Sequence, residues 1–286
     1  MSCCEEMSVW IGSAQSQNTK ERMEDVAVVR VFPDGGLFAV LDGHNGRVAV
    51  DFVAEHLPEA IIGSDAFAEG RMEDALYFGF RKTEKDLLTL LTTEAGTASK
   101  QTHAEDTDTD FPVLTSGVVV CVVLMYRGVV YTANVGDCRA IMARSSNAVQ
   151  LTLDHNTCDP HERLRVGPFV GPEGYVRGLM VTRSLGNVSI KSLQKCEGQI
   201  ADPVVGHFPV DSDKDDFILI ASDGLYEVLS NDAAVGIVQR ALKRPRCTPD
   251  RIAQELVDRA VARGSCDNVC ACIVLLKQQP TVPKID

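Results

Sequence analysis

The chain has 286 residues, 45% of them hydrophobic and 24% charged, enough for a sizeable core without disulfide staples. Its 40 acidic against 28 basic side chains leave a formal charge of −12, which repels phosphate backbones and anionic lipid, so no nucleic acid is expected as a partner. The longest strongly apolar run, 118–126, is far short of the ~20 residues of a membrane helix and no apolar segment follows the N-terminal Met, so a soluble, non-secreted, membrane-free protein is expected.

In chain order, β-branched runs predict strands over 26–32 and 37–41, and amphipathic stretches predict helices over about 46–56 and 73–91. Residues 92–114 are rich in Thr, Ser, Glu and Asp, and read as a flexible, solvated acidic loop. Strands follow over 117–126, 129–135 and 139–144, with Arg127-Gly128 as a tight hairpin turn that makes its neighbours antiparallel. After a further strand over 217–221 come helices over about 232–243 and 249–263. Thr248 caps the latter, Pro249 takes its first position and Gly264 stops it. The last strand spans 269–276, and 278–286 read as a loose tail. Strands and helices do not alternate regularly, which disfavours a doubly wound sheet. One α+β domain over 1–286 is expected, an antiparallel sandwich flanked by helices.

Ten cysteines, several inside apolar runs, point to reduced cytosolic thiols; with no targeting signal to read, the cytoplasm with access to the nucleus is the default setting. The run from Cys266 to Cys272 lacks a fourth ligand for zinc and reads as core cysteine. Cys138 and Arg144 have the spacing of a cysteine phosphatase, but the residues between them look like a strand, not a phosphate-cradling loop.

Carboxylates gather where apolar strands begin or stop: Glu24-Asp25, Asp42-Gly43-His44, Asp137, Asp223-Gly224 and Asp267-Asn268. Taken singly, each fits a turn or a solvated edge. Together they suggest convergence on a hard cation, because clustered carboxylates cannot all ionise without one; Mg²⁺ or Mn²⁺ suits oxygen ligands.

The succession RMED (22–25), LFAVLDGHNG (37–46), TSG (115–117), TANVGDCRA (132–140), LTLDH (151–155), HERLR (161–165), VTRSLGN (181–187), DDFILIASDGLYEVLS (215–230) and SCDNV (265–269) resembles the metal-dependent serine/threonine protein phosphatases of the 2C type. The resemblance implies a four-layer α-β-β-α sandwich with a two-metal site at one end, and hydrolysis of phosphoserine and phosphothreonine in proteins by metal-activated water. Asp42 would bridge the ions, the Gly43 carbonyl, Asp223 and Asp267 would complete the ligands, and Glu24 and Asp25 would hold coordinated waters. Asp137 and Glu227 would belong to a third, looser ion. His44 would be the general acid, and Lys20, Arg22 and Asn268 would meet the substrate.

The chain departs from the family pattern in four places. Lys20 stands where the family has Arg, Glu227 and Asn187 stand where it has Asp, and Asn45 lies in a loop where small residues are common. Lysine cannot grip phosphate bidentately; Arg22 would share its face if that stretch is extended. An irregular stretch between HERLR and VTRSL would form a mobile flap. Two readings stay open besides the phosphatase: a pseudophosphatase acting as a binding module, and another two-metal phosphoesterase. The expected partners are phosphoprotein substrates, and a monomer is the default.

Overall fold

Strands that are apolar at nearly every position need cover on both faces, and the runs over 37–41, 118–125 and 269–275 have that character. In the computed structural model, which describes residues 10–101, 111–171, 173–191 and 198–277, these runs are central strands. The chain begins with β1 (Trp10–Ser16), β2 (Asp25–Phe32), β3 (Gly35–His44), α1 (Val48–Ile62), α2 (Asp65–Ala68), α3 (Met72–Gln101) and α4 (Phe111–Thr115). It continues through β4 (Gly117–Tyr126), β5 (Val129–Val135), β6 (Arg139–Arg144), β7 (Asn147–Gln150), α5 (Pro160–Val166), β8 (Leu185–Gly186) and α6 (Val188–Lys191). It closes with β9 (Val204–Pro209), β10 (Asp215–Ala221), α7 (Asp223–Tyr226), α8 (Asn231–Leu242), α9 (Pro249–Ala262) and β11 (Val269–Leu275).

One sheet has the order β1-β11-β10-β6-β7, the other β2-β3-β4-β5-β9 with short β8 on β4, and every strand pair is antiparallel. Between them, Phe38, Val40, Cys121 and Val123 meet Met142, Ile218, Ile220, Cys270 and Cys272. On the outer faces, α1 and α3 bring Val53, Leu57, Leu76 and Phe80 against one sheet. Helices α8 and α9 bring Val235, Val238, Ile252 and Leu256 against the other. Each such side chain contributes about 2 kcal/mol through burial. The architecture is the expected α+β sandwich in four layers, α-β-β-α.

The hairpin turn has positive φ at both Arg127 and Gly128, the geometry that matches strand twist. Thr248 caps α9 by accepting from the Arg251 N–H at 3.4 Å. Helix α1 outruns its expected end: Pro58 lacks one N–H, but Leu57, Pro58 and Ile61 are buried, and that packing outweighs the lost bond. Residues 92–101 correct the expected loop, since α3 continues to Gln101. The hydroxyls of Thr89, Thr92 and Thr93 donate back to the carbonyls of Lys85, Leu88 and Thr89, while Leu91 and Ala95 are buried, so the polar composition is one face of a helix. Residues 102–110 and the expected tail 278–286 lie outside the described residues. Among the described residues no helix is long and apolar enough to cross a membrane.

Candidate active site

Antiparallel pairing sets Asp25, at the start of β2, directly opposite Asp42, near the end of β3. The β5–β6 turn carrying Asp137, the end of β10 leading to Asp223, and the approach to β11 carrying Asp267 meet them at one end of the sandwich. Lys20, Glu24, Asp42, Gly43, His44, Asp137, Asp223, Asp267 and Asn268 line a single pocket of about 300 Å³. Asp25 is buried beside it, its Oδ2 accepting from the Ser222 hydroxyl at 2.7 Å. Gly43 is required: a Cβ there would lie 2.9 Å from the Glu24 carbonyl oxygen and from Val50 Cβ.

Burial, reinforced by neighbouring carboxylates, pushes Asp25 up to about 7 and Asp223 up to about 6. The same causes hold Asp42 and Asp137 well above the ordinary carboxylate range. Asp223 Oδ1 is buried without a hydrogen-bond partner. An oxygen-rich pocket with surplus negative charge and an orphaned carboxylate oxygen fits a hard divalent cation. As placed, no three His, Cys, Asp or Glu side chains among the described residues close on one ion position. Asp267 is turned toward Lys20 at 2.7 Å, and Asp25 toward Ser222.

The remaining expected residues divide. Glu24 Oε1 accepts from the Gly46 N–H at 2.6 Å and faces the pocket. Glu227 stands outside the lining, close enough to raise Asp223 and Asp137. Lys20 is held charged by Asp267, which outweighs its partial burial. Asn268 is used differently from the expectation. Its Oδ1 accepts from the Glu24 N–H at 2.8 Å and its amide donates to the carbonyls of Gln17 and Arg22 at 2.9 and 3.0 Å, so it pins the β1–β2 loop. Arg22 lines a neighbouring groove and not the pocket that Lys20 lines, and the stretch from Lys20 to Arg22 is bent instead of extended.

His44 is held by a residue that departs from the family pattern. The Asn187 amide nitrogen donates to the Thr115 carbonyl at 2.7 Å, which turns its oxygen toward the Ser184 hydroxyl at 2.6 Å and His44 Nε2 at 3.1 Å. The Asn187 amide nitrogen is as near to Nε2, at 3.0 Å, so Asn187 holds this side of the ring whichever tautomer is present. Burial, with Lys191 adding, pulls His44 below its ordinary value. Gly117 makes room for the pair: a Cβ there would lie 2.2 Å from Asn187 Oδ1 and 2.5 Å from His44 Nε2. Sequence reasoning assigned no role to Gly117 or Ser222, although both lie in quoted motifs, TSG and ASDG.

The stretch before β8 supplies Gly178, Leu179, Met180 and Val181 to the pocket wall. Its base is tied by buried Glu162, which accepts from Arg165 and Arg183, each at 2.6 Å, and from Thr182 at 2.5 Å. The cysteine-phosphatase reading fails: Cys138 is buried between the sheets with its thiol held well above its ordinary value by burial, and Arg144 pairs with Asp215 at 2.7 Å. Cys270 and Cys272 are core residues as expected, whereas Cys266, in the loop before β11, is exposed and corrects that reading.

A family model for protein phosphatase 2C matches residues 11–269. Protein phosphatase 2C 1 of Paramecium tetraurelia is 29% identical over 95% of this chain and 93% of its own. Probable protein phosphatase 2C 69 of Arabidopsis thaliana is 31% identical over 92% of this chain and 69% of its own. Among solved structures, the serine-threonine phosphatase 2C of Toxoplasma gondii superposes with a TM-score of 0.76 at 20% identity, over 94% of this chain and 96% of that one. A C. elegans sex determining protein does so at 0.77 and 21%, over 94% and 65%. The two structural likenesses show a shared fold.

Proposed function

Since the chain belongs to the protein phosphatase 2C family and is a serine/threonine phosphatase, we propose that it hydrolyses phosphoserine and phosphothreonine in proteins by direct attack of water, in a pocket that holds Mg²⁺ or Mn²⁺. The observation that carries this reading is the acidic pocket itself: buried carboxylates raised by burial and mutual repulsion, one of them with an orphaned oxygen. Asp42, the Gly43 carbonyl, Asp223 and Asp267 would hold the cations, with Glu24, Asp25 and Asp137 beside them and Glu227 behind. Bound cations would supply Lewis acidity to the phosphate and activate water near neutral pH.

The chain's own residues do the rest. Lys20, with its ammonium at the mouth of the pocket, offers the substrate phosphate a point charge. His44, its Nε2 held by the Asn187 amide, keeps Nδ1 for the substrate and, in its imidazolium form, gives the Nδ1 proton to the departing serine or threonine oxygen, leaving a neutral ring. Gly178, Leu179, Met180 and Val181, from the stretch before β8, supply wall to the same pocket. Free buried thiols suit a reducing compartment, the cytoplasm or the nucleus.

Phosphate release from a phosphothreonine peptide, measured with Mn²⁺ or Mg²⁺ and with excess chelator, tests the proposal. Release should require the cation, disappear in Asp42→Ala, and fall roughly 10²-fold in turnover in His44→Ala. A folded protein that releases no phosphate under any cation would overturn it in favour of a binding module.

A further inference from the structure

A groove of about 620 Å³ runs alongside the acidic pocket, and Asn45, Gly178 and Leu179 form a wall common to both. Two arginines line it, Arg22 from the β1–β2 loop and Arg177 from the stretch before β8, and among the described residues no carboxylate does. In a chain with 40 acidic against 28 basic residues, this is a local reversal of sign. Both arginines are exposed, and neither enters an ion pair or a side-chain hydrogen bond among the described residues. The Arg177 guanidinium lies 5.4 Å over the Phe169 ring, which holds it in place without neutralising it. The shared wall is built firmly: the Asn45 amide donates to the Thr115 carbonyl at 3.2 Å, in the residue next to His44.

We infer that this groove takes the residues flanking the phosphorylated serine or threonine, and that Arg22 and Arg177 select substrates carrying aspartate or glutamate there. The inference rests on the phosphatase reading above, which puts the scissile phosphate in the acidic pocket. A peptide anchored there and leaving over Asn45 enters the groove within a few residues, since an extended chain advances about 3.3 Å per residue. Guanidinium groups without internal partners pair with carboxylates in planar, bidentate fashion. A lysine or arginine at the same place meets two like charges.

Three phosphothreonine peptides of equal length, flanked by alanine, glutamate or lysine, test this with Mn²⁺ present. Wild-type kcat/KM should favour the glutamate peptide over the alanine peptide roughly fivefold and disfavour the lysine peptide. The preference should shrink in Arg22→Gln and in Arg177→Asn, approach one in the double variant, and weaken as salt is raised. Asparagine tolerates the positive φ at position 177. Each preference is a ratio within one protein, so loss of folded enzyme cancels. Equal hydrolysis of all three peptides by wild type, or an unchanged ratio in the double variant, overturns the groove assignment alone. Hydrolysis of none by the folded wild type overturns the phosphatase reading and the groove assignment with it.

Discussion

In the absence of divalent cation, Asp25→Asn should stabilise the protein at neutral pH, with the effect nearly gone at pH 4. An unfolded aspartate ionises near 3.8, whereas burial, with Asp223 adding, moves Asp25 to about 7 in the fold. Below 3.8 both states are protonated and the group costs nothing. As the pH rises toward 7, the unfolded chain sheds a proton that the native state still binds, so stability is lost, and the loss is complete above about 7. The separation corresponds to about 4 kcal/mol, an upper bound because Asp42 and Asp223 titrate with it. At about 2 °C per kcal/mol for a chain of this size, Tm should differ by about 8 °C between variant and wild type at pH 8. Asparagine keeps an oxygen for the Ser222 hydroxyl, so the bond at 2.7 Å is retained. Thermal unfolding followed by circular dichroism in excess chelator, from pH 4 to 8, measures the difference directly. Glu162 and Asp215, held below the ordinary range by their arginines despite burial, lose their contribution as pH falls, so the difference between the two proteins isolates Asp25. A difference in Tm independent of pH would refute the reasoning.

Gly117→Ala should force His44 and Asn187 apart, since its Cβ would lie 2.2 Å from Asn187 Oδ1; kcat on a phosphothreonine peptide should fall roughly tenfold with KM nearly unchanged, and add little to the loss in His44→Ala. His155 is held at about 4 by burial, with Arg183 adding, and its Nδ1 accepts from the Gly136 N–H at 3.2 Å. Its contribution, about 3 kcal/mol, is present above 6.5 and lost as pH falls toward 4. Urea unfolding of His155→Asn, which keeps an acceptor but cannot take the proton, should show a flatter curve over that range. Glu162→Gln leaves Arg165 and Arg183 with no carboxylate between them, and should cost about 3 kcal/mol, read as a fall in Tm of about 6 °C.

The central strands were legible because their residues are apolar at every position, as in 117–126, and burial on both faces follows from that. Strand β1 was not: WIGSAQS has no β-branched run, and its strand form depends on seven partners along β11, from Trp10 opposite Leu275 to Ser16 opposite Val269. Strand β9 was hidden in the same way, with Gly206 and Pro209 in it and β5 beside it. At the site, the carboxylates could be read because they interrupt apolar strands at their ends. Their partners could not. The amides of Asn187 and Asn268 take their roles from carbonyls 72 to 251 positions away, and nothing local to either asparagine says which. The ion pair of Lys20 with Asp267, 247 residues apart, is hidden for the same reason.

The thiols between the sheets have a practical use. Cys121 and Cys272 are pushed up to about 12 by burial, and Cys138 and Cys270 are raised as well, so these four carry almost no thiolate at neutral pH. Peroxide, which oxidises thiolates it can reach, therefore finds nothing there while the sandwich is closed, and the sulfur it meets at the active pocket is the exposed Met180 thioether of the wall, not a thiol. An alkylating reagent would label exposed Cys158 and Cys266 at once, and the slow second wave of labelling would be a clock for the two sheets coming apart.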